Sequence, residues 1–438
     1  MFSYYFTLAV RSLKRNIVLT VLMIAAVGVG IGASMTTLTV FRAMASDPIP
    51  GKSRQLFAVQ IDNWGPQPGR NSLPDKLQPQ ISYSDALGFM NGHAGYRQAA
   101  MFGTGFAVTP ENAELHPFQV SGRATFADFF AMFSVPFRFG GPWSAADDGD
   151  KADVVVVGSS LNDKLFGGAN SVGKTINLDN HNYRIVGVLE KWQPEPRFYD
   201  VNTNKFGESE KAFIPFTSAI QNQQPNWGNN SCNSDSRQEG YEGHLHSECI
   251  WIQYWAELPT AADATKYRNW LSNYSEEQKR IGRFHWPTHT DIKNVREWLA
   301  YRQVVDDNVR VMVVVSFSFL VVCLLNAMGL MLAKVMGRAA DIGVRRALGA
   351  NRGAIFAQCL IEAGVVGLAG GLVGLGLTSL GLLGLRSLLS ESAGRLTYFS
   401  ASDVSIAVLL AVGATTLAGL YPTWRAAQVQ PAWQLKAQ

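Results

Sequence analysis

Charge is scarce in this chain. Asp, Glu, Lys and Arg make up 16% of its 438 residues, where an ordinary soluble domain carries nearer about a quarter. With 47% of residues hydrophobic, one soluble core does not absorb the apolar surface. The net charge of +4 is too small to argue for nucleic acid as a partner. No Ser/His/Asp or Cys/His grouping has the elbow or base spacing of a hydrolase, so no catalytic residue is assigned. No metal site is assigned either: Asp147, Asp148 and Asp150 read as a solvated loop rather than a calcium site. Cysteine is limited to four residues, too few for a disulfide scaffold.

What the chain has instead is four long apolar runs. They extend over Asn16–Phe41, over Val311–Ala333, between Arg352 and Arg386 with Glu362 as the one charge, and over Val404–Trp424. Each has the roughly 20 residues a helix needs to cross about 30 Å of hydrocarbon. The first could be a cleaved signal peptide, since Ala43-Met44-Ala45 has the small-x-small pattern. Its uncharged core is too long for that, signal cores running to about 15 residues.

Basic residues set the orientation. Arg11, Lys14 and Arg15 precede the first run, and Lys334, Arg338, Arg345, Arg346 and Arg352 follow the second against a single Asp341. Arg425 and Lys436 follow the fourth, while the loop after the third is nearly balanced, Arg386 and Arg395 against Glu391 and Asp403. By the positive-inside rule both termini and the second loop face the cytoplasm. The fold expected is an α-helical membrane protein with a mixed α/β extracytoplasmic domain inserted between helices 1 and 2. Its parts are residues 1–46 (N-terminus and first helix), 47–294 (the extracytoplasmic domain), 295–334 (stalk and second helix), 335–353 (cytoplasmic loop), 354–386 (third helix), 387–403 (short outer loop) and 404–438 (fourth helix and tail).

Within the outer domain Val154–Val157 reads as a short buried strand and Ser160–Phe166 as a helical turn. Thr175–Leu178 and Tyr183–Val188 alternate as strands around the turn Asp179–Asn182. Residues 48–75, 136–150 and 194–230 are dense in Pro and Gly and read as loops or insertions. Val295, Trp298, Leu299, Arg302, Val305 and Val309 recur at helical spacing, which predicts one helix running unbroken into the second span; a separate helix with a short hinge is the alternative. Gly168–Thr175 matches the phosphate-loop pattern GxxxxGK[ST] in full. That chemistry needs a strand entering and a helix leaving, and here strands follow. It reads as a glycine-containing turn entering a strand. Cys232 and Cys249 fall in a polar insert on the outer side, where they can form a disulfide; a site with His244 and His246, or two free thiols, are the alternatives.

Three features belong to the membrane region. Gly28 and Gly32 in the first run, and Gly367, Gly370, Gly371 and Gly374 in the third, form small-xxx-small ridges that let helices approach closely, although glycine is simply common in membrane helices. Glu362 is an ionisable intramembrane group, either functional or paired with a loop Arg. In the second loop, Arg338 to Ala350 has charges at helical spacing, with Asp341 placed to pair with Arg338 and Arg345. Gly349 there suits a helix C-cap.

That loop, Arg338-Ala-Ala-Asp341-Ile342-Gly343-Val-Arg345-Arg346-Ala-Leu348-Gly349-Ala350, closely resembles the R-x-x-E-I-G-x-R-R-A-x-G-A loop of MacB/FtsX/LolC-type ABC transporter permeases. Gln358 through Glu362 resembles that family's third span, and Tyr421-Pro422 with Ala426, Ala427 and Pro431 its C-terminal signature. Val154 to Val188 resembles the core of its periplasmic domain. Asp341 replaces the usual Glu, Trp433 stands where an acid is common, and residues 194–249 have no clear counterpart.

The resemblance implies a MacB-like permease subunit of the bacterial inner membrane, which is not itself an enzyme. It implies dimerisation with a second permease, identical or paralogous. A cytoplasmic ABC ATPase would dock on Arg338, Asp341, Ile342, Gly343, Arg345, Arg346, Leu348 and Gly349. About 15 residues precede the first span and about 14 follow the last, so the ATPase, with its ATP and Mg, is expected on a separate chain, and no cofactor on this one. The implied function is efflux or export of an envelope or periplasmic substrate by mechanotransmission. A periplasmic adaptor and an outer-membrane duct are the partners such efflux adds, with membrane lipid around the helices. An FtsX-like relay to a cell-wall hydrolase and LolC-like lipoprotein extraction are the alternatives.

Overall fold

The computed structural model describes residues 11–13, 15–65, 77–112, 114–233, 239–388 and 401–428. Outside them lie Lys14, the outer-loop charges Glu391 and Arg395, and Pro431, Trp433 and Lys436 of the tail. The described chain divides into two compact units, residues 1–45 with 305–438, and residues 46–304.

The first unit is helical: α1 (Ile17–Met44), α2 (Asp307–Met336), α3 (Ala339–Ala347), α4 (Arg352–Leu388) and α5 (Ala401–Ala427). All but α3 are long and apolar enough to cross a membrane. Glycine decides how they pack. A Cβ added to Gly374 of α4 would fall 2.7 Å from the Ile31 side chain and 3.1 Å from the Gly28 carbonyl of α1. Gly28, Gly32 and Gly370 are filled the same way by Val373, Leu377 and Val27, so the α1–α4 seam brings backbone close to backbone. Gly367 and Gly371 face Thr415 and Ala411 of α5. On its other side α1 meets α2, where the Ser34 hydroxyl donates to the Ser316 carbonyl at 2.9 Å and Thr37 and Ser316 share a hydrogen at 2.7 Å. Gly374→Leu is therefore expected to destabilise this unit by about 1–3 kcal/mol through overpacking. Gly376→Leu, at a position open to 4 Å, serves as the control. Equal melting temperatures for the two variants in detergent would show that the seam is not tight.

The second unit is a mixed ten-stranded sheet: β1 (Leu56–Ile61), β2 (Arg97–Thr109), β3 (Phe118–Thr125), β4 (Phe137–Gly140), β5 (Val154–Val157), β6 (Thr175–Leu178), β7 (His181–Leu189), β8 (Ala212–Pro215), β9 (Gln253–Glu257) and β10 (Thr290–Asn294). Their order is β10-β1-β9-β2-β3-β8-β5-β7-β4, with β6 pairing β2 and β7. Side chains alternate across a strand, and here both faces are buried. Phe57, Val59, Phe102, Phe106, Val155 and Val157 belong to one core, with helices Tyr83–Gly92 and Ala261–Arg280 against it. Leu56, Ala58, Ala99, Met101, Val154 and Val156 belong to a second, filled by Phe129, Phe130, Phe133, Tyr199 and Trp255.

Several expectations are corrected. The helix does not run unbroken from 295 into the second span. Helix Val295–Tyr301 ends at Arg302, Gln303 is left-handed at φ 48°, Val304 is buried in the second core, and Asp306 caps a new helix by accepting from Asn308 N–H at 3.0 Å. The residues favour this break because Asp is a strong N-cap and burying Val304 takes the chain off the helical path. The Pro- and Gly-dense stretches are not all loop: β1, β4 and β8 lie in them, short strands between the breaks. The β6–β7 turn is tighter than four residues. Asp179 and Asn180 alone form it, both at positive φ (52° and 62°), the two-residue geometry whose twist matches the strands it joins.

Candidate functional site

α3 follows α2 after a break at Gly337 and Arg338. Its C-terminus is closed by Gly349 at φ 101°, where Gly349 N–H donates to the Arg346 carbonyl at 3.1 Å and Ala350 N–H to that of Arg345 at 3.0 Å. This double bond pattern satisfies carbonyls that helix ends leave open, and the φ it needs suits glycine.

The charges around α3 are arranged differently from the sequence expectation. Asp341 does not pair with Arg338 or Arg345; it meets Arg15 at 2.8 Å. Arg338 stands at the N-cap, outside helical geometry, so the three-residue spacing to Asp341 does not bring them together. Its guanidinium instead lies 3.5 Å from Glu362 and donates to the Ser12 hydroxyl. Arg345 donates to the Gln358 amide at 3.2 Å. Glu362 is buried and also accepts from Lys334 Nζ at 3.1 Å, Lys334 itself being 4% exposed. A buried ammonium and carboxylate are tolerated only as partners, so α2, α4 and the start of α3 are fastened at one point. In the sequence Lys334 reads only as one of the basic residues after the second span. The available signal was its place among Leu332, Ala333, Val335 and Met336, with Glu362 the one acid of α4. The opposite face of α3 is open: Val344 is 57% exposed and Leu348 83%, beside the exposed Arg345. Ile342 is half-buried and Gly343 buried. A second pair, Arg42 with the buried Asp403 at 2.8 Å, joins the other end of α1 to α5.

In the α/β unit, Cys232 and Cys249 form a disulfide with an S–S distance of 2.01 Å. His244 lies close to both sulfurs, but disulfide sulfurs are not the thiolates that hold zinc. Gly168–Thr175 follows helix Ser159–Phe166 and enters β6, with no helix leaving it. Two buried ion clusters had no signature in the sequence. Arg123 on β3 is fully buried; it donates to Glu210 at 2.7 Å and Asp200 at 2.6 Å, and Arg197 reaches the same two carboxylates at 3.0 and 3.2 Å. Burial alone would raise both carboxyls, but the two facing guanidinium groups outweigh it and hold them below the ordinary carboxylate range. The half-buried Arg283 grips the buried Asp85 and the half-buried Glu248, both at 2.6 Å.

Residues 20–273 match the family model of the MacB-like periplasmic core domain, and residues 313–431 that of the FtsX-like permease C-terminal domain. The chain belongs to the MacB/FtsX family of ABC transporter permeases, with four membrane-type helices and a periplasmic-type α/β domain. Over 435 residues it is 26% identical to the macrolide export ATP-binding/permease protein MacB of Shigella boydii, covering 98% of this chain and 60% of that one. The MacB of Neisseria gonorrhoeae is 25% identical over 313 residues, 69% of this chain and 41% of its own. The chain thus spans roughly two fifths to three fifths of the length of these relatives. Among solved structures, the periplasmic region of MacB from Actinobacillus actinomycetemcomitans aligns with a TM-score of 0.36 at 13% identity, over 57% of this chain and 94% of that one.

Proposed function

We propose that this chain is the permease subunit of an inner-membrane ABC transporter that relays ATP-driven motion of a separate cytoplasmic ATPase to its periplasmic domain, for export of an envelope or periplasmic substrate. The observation that carries this reading is α3. Its start is tied to the membrane helices through Arg338 and Glu362, while Val344, Leu348 and Arg345 stand exposed. An exposed apolar pair flanked by arginines on a short, fastened helix is a surface made for a partner: leucine and valine fill a groove, and arginine pairs with its acidic rim. A displacement there passes into α2 and α4 because the ion pairs leave no slack. With the basic loop on the cytoplasmic side, both termini lie there too and the α/β domain outside. Dimerisation with a second permease completes the transporter, with an adaptor and an outer-membrane duct added where the substrate must leave the envelope.

Reversing the charge of α3 tests this. The double variant Arg345→Glu/Arg346→Glu is expected to lose the co-purifying ATPase while its own yield stays normal, since Arg345 is exposed and Arg346 half-buried at the surface. An ATPase that still co-purifies at full activity would leave the loop as a topology determinant only.

A further inference from the structure

Residues 222–227, together with β2, β3 and the β6–β7 turn, form a cleft on the α/β domain. We infer that this cleft binds a neutral saccharide, with Trp227 as the stacking platform. Residues 225–227 are laid along β2: Thr104 donates to the Pro225 carbonyl at 2.8 Å, and Trp227 N–H to that of Gly103 at 2.9 Å. The indole then lies flat on the strand over Gly105, where an added Cβ would fall 2.0 Å from the ring. Glycine at 105 is what lets the ring settle there. Trp227 nevertheless remains 48% exposed. It stands in an open cleft of about 430 Å³, shared with Gln119, Asn180, Gln223 and Gln224.

Each feature points to a ligand rather than to packing. An indole with one face held and the other free offers an apolar plane at little entropy cost, and Trp buries a large area with a polar edge to spare. The carbonyl oxygen of Gln224 is buried without a hydrogen-bond partner among the described residues, a costly state that a hydroxyl donor would relieve. Asp179, at the rim of the cleft, accepts from Ala107 N–H at 2.7 Å. Around the one aromatic plane the lining is chiefly carboxamide, with the Asp179 carboxylate and His181 at its edge. A sugar ring complements it, its C–H face on the indole and its hydroxyls on the amides, each of which both donates and accepts.

The test uses the full chain in lipid nanodiscs, which bring no sugar-based detergent. Chitotetraose and maltotetraose are titrated as neutral probes and tetralysine as a cationic one, by calorimetry and saturation-transfer NMR. Saturable binding of at least one tetrasaccharide is expected, weakened about tenfold or more by Trp227→Ala, as expected for loss of a stacking anchor. Trp227→Tyr should retain part of it, and both variants should melt like the parent. The inference is overturned if neither sugar saturates below about 10 mM, if Trp227→Ala binds as the parent does, or if tetralysine alone binds. None of these results bears on ATPase coupling, so the permease reading stands or falls separately.

Discussion

Replacing Arg123 with methionine is expected to cost the α/β domain about 3–5 kcal/mol, the cost of breaking a buried ion pair from one side. Asp200 and Glu210 would then share the interior with Arg197 alone. Domains hold together by only about 5–15 kcal/mol, so the variant should be largely unfolded at moderate denaturant. Size is not the cause, since methionine fills much of the same volume. The double variant Arg123→Met/Asp200→Asn leaves the Arg197–Glu210 pair balanced and should therefore recover part of the loss. Urea unfolding followed by proteolysis of residues 46–304 measures both. A single variant as stable as the parent, or a double variant worse than the single, would refute the account. The same cluster predicts acid sensitivity. Its carboxyls sit below their ordinary values, so their contribution is complete above the unfolded carboxylate range, near about pH 4, and is lost as pH falls through the depressed range.

Glu362→Ala should have the second large effect, again about 3–5 kcal/mol, because it strands Lys334 in a buried position and frees Arg338. Both consequences can be read at once. Melting in detergent should fall, and trypsin should cut faster at Arg345 and Arg346 as α3 loses its tether. In the double variant Lys334→Met/Glu362→Met no charge is stranded, so melting should largely recover. Cleavage at α3 should stay fast, because Arg338 remains without its carboxylate. If Glu362→Ala leaves both melting and cleavage unchanged, the pair does not fasten α3.

What could be read from the sequence follows from which physical signals are local. The four long helices are legible because hydrocarbon imposes length and apolarity on every residue of a span. The strand Val154–Val157, the hairpin of β6 and β7 and the cap at Gly349 are legible because period and turn chemistry are local too. The break at residues 302–306 was present as Asp306 before Asp307 and Asn308, but helical spacing across it masked the cap. Arg123 was illegible: in Phe118–Thr125 it stands beside Ser121 and Gly122 like any solvated residue. Its partners lie 77 and 87 residues away, a distance that propensity and period do not cover. The rearranged pairs of Asp341 and Arg338 fail for the same reason, because tertiary partners outbid neighbours on the same helix.

The glycine seam has a mechanical corollary. Where Gly28, Gly32, Gly370 and Gly374 let Val27, Ile31, Val373 and Leu377 interlock, no long side chain is available to swing and absorb a displacement. α1 and α4 are thereby a welded pair, free to tilt together but not to slide one helical turn past each other. α2 and α5 bury only 22% of their most apolar stretch inside the chain, against 44% and 39% for α1 and α4. Even so, α2 is held to α1 through Ser34, Thr37 and Ser316 and to α4 through Lys334 and Glu362, and α5 packs on α4 at Gly367 and Gly371. In the transport cycle proposed above, spin labels spanning the α1–α4 seam should report one unchanging distance.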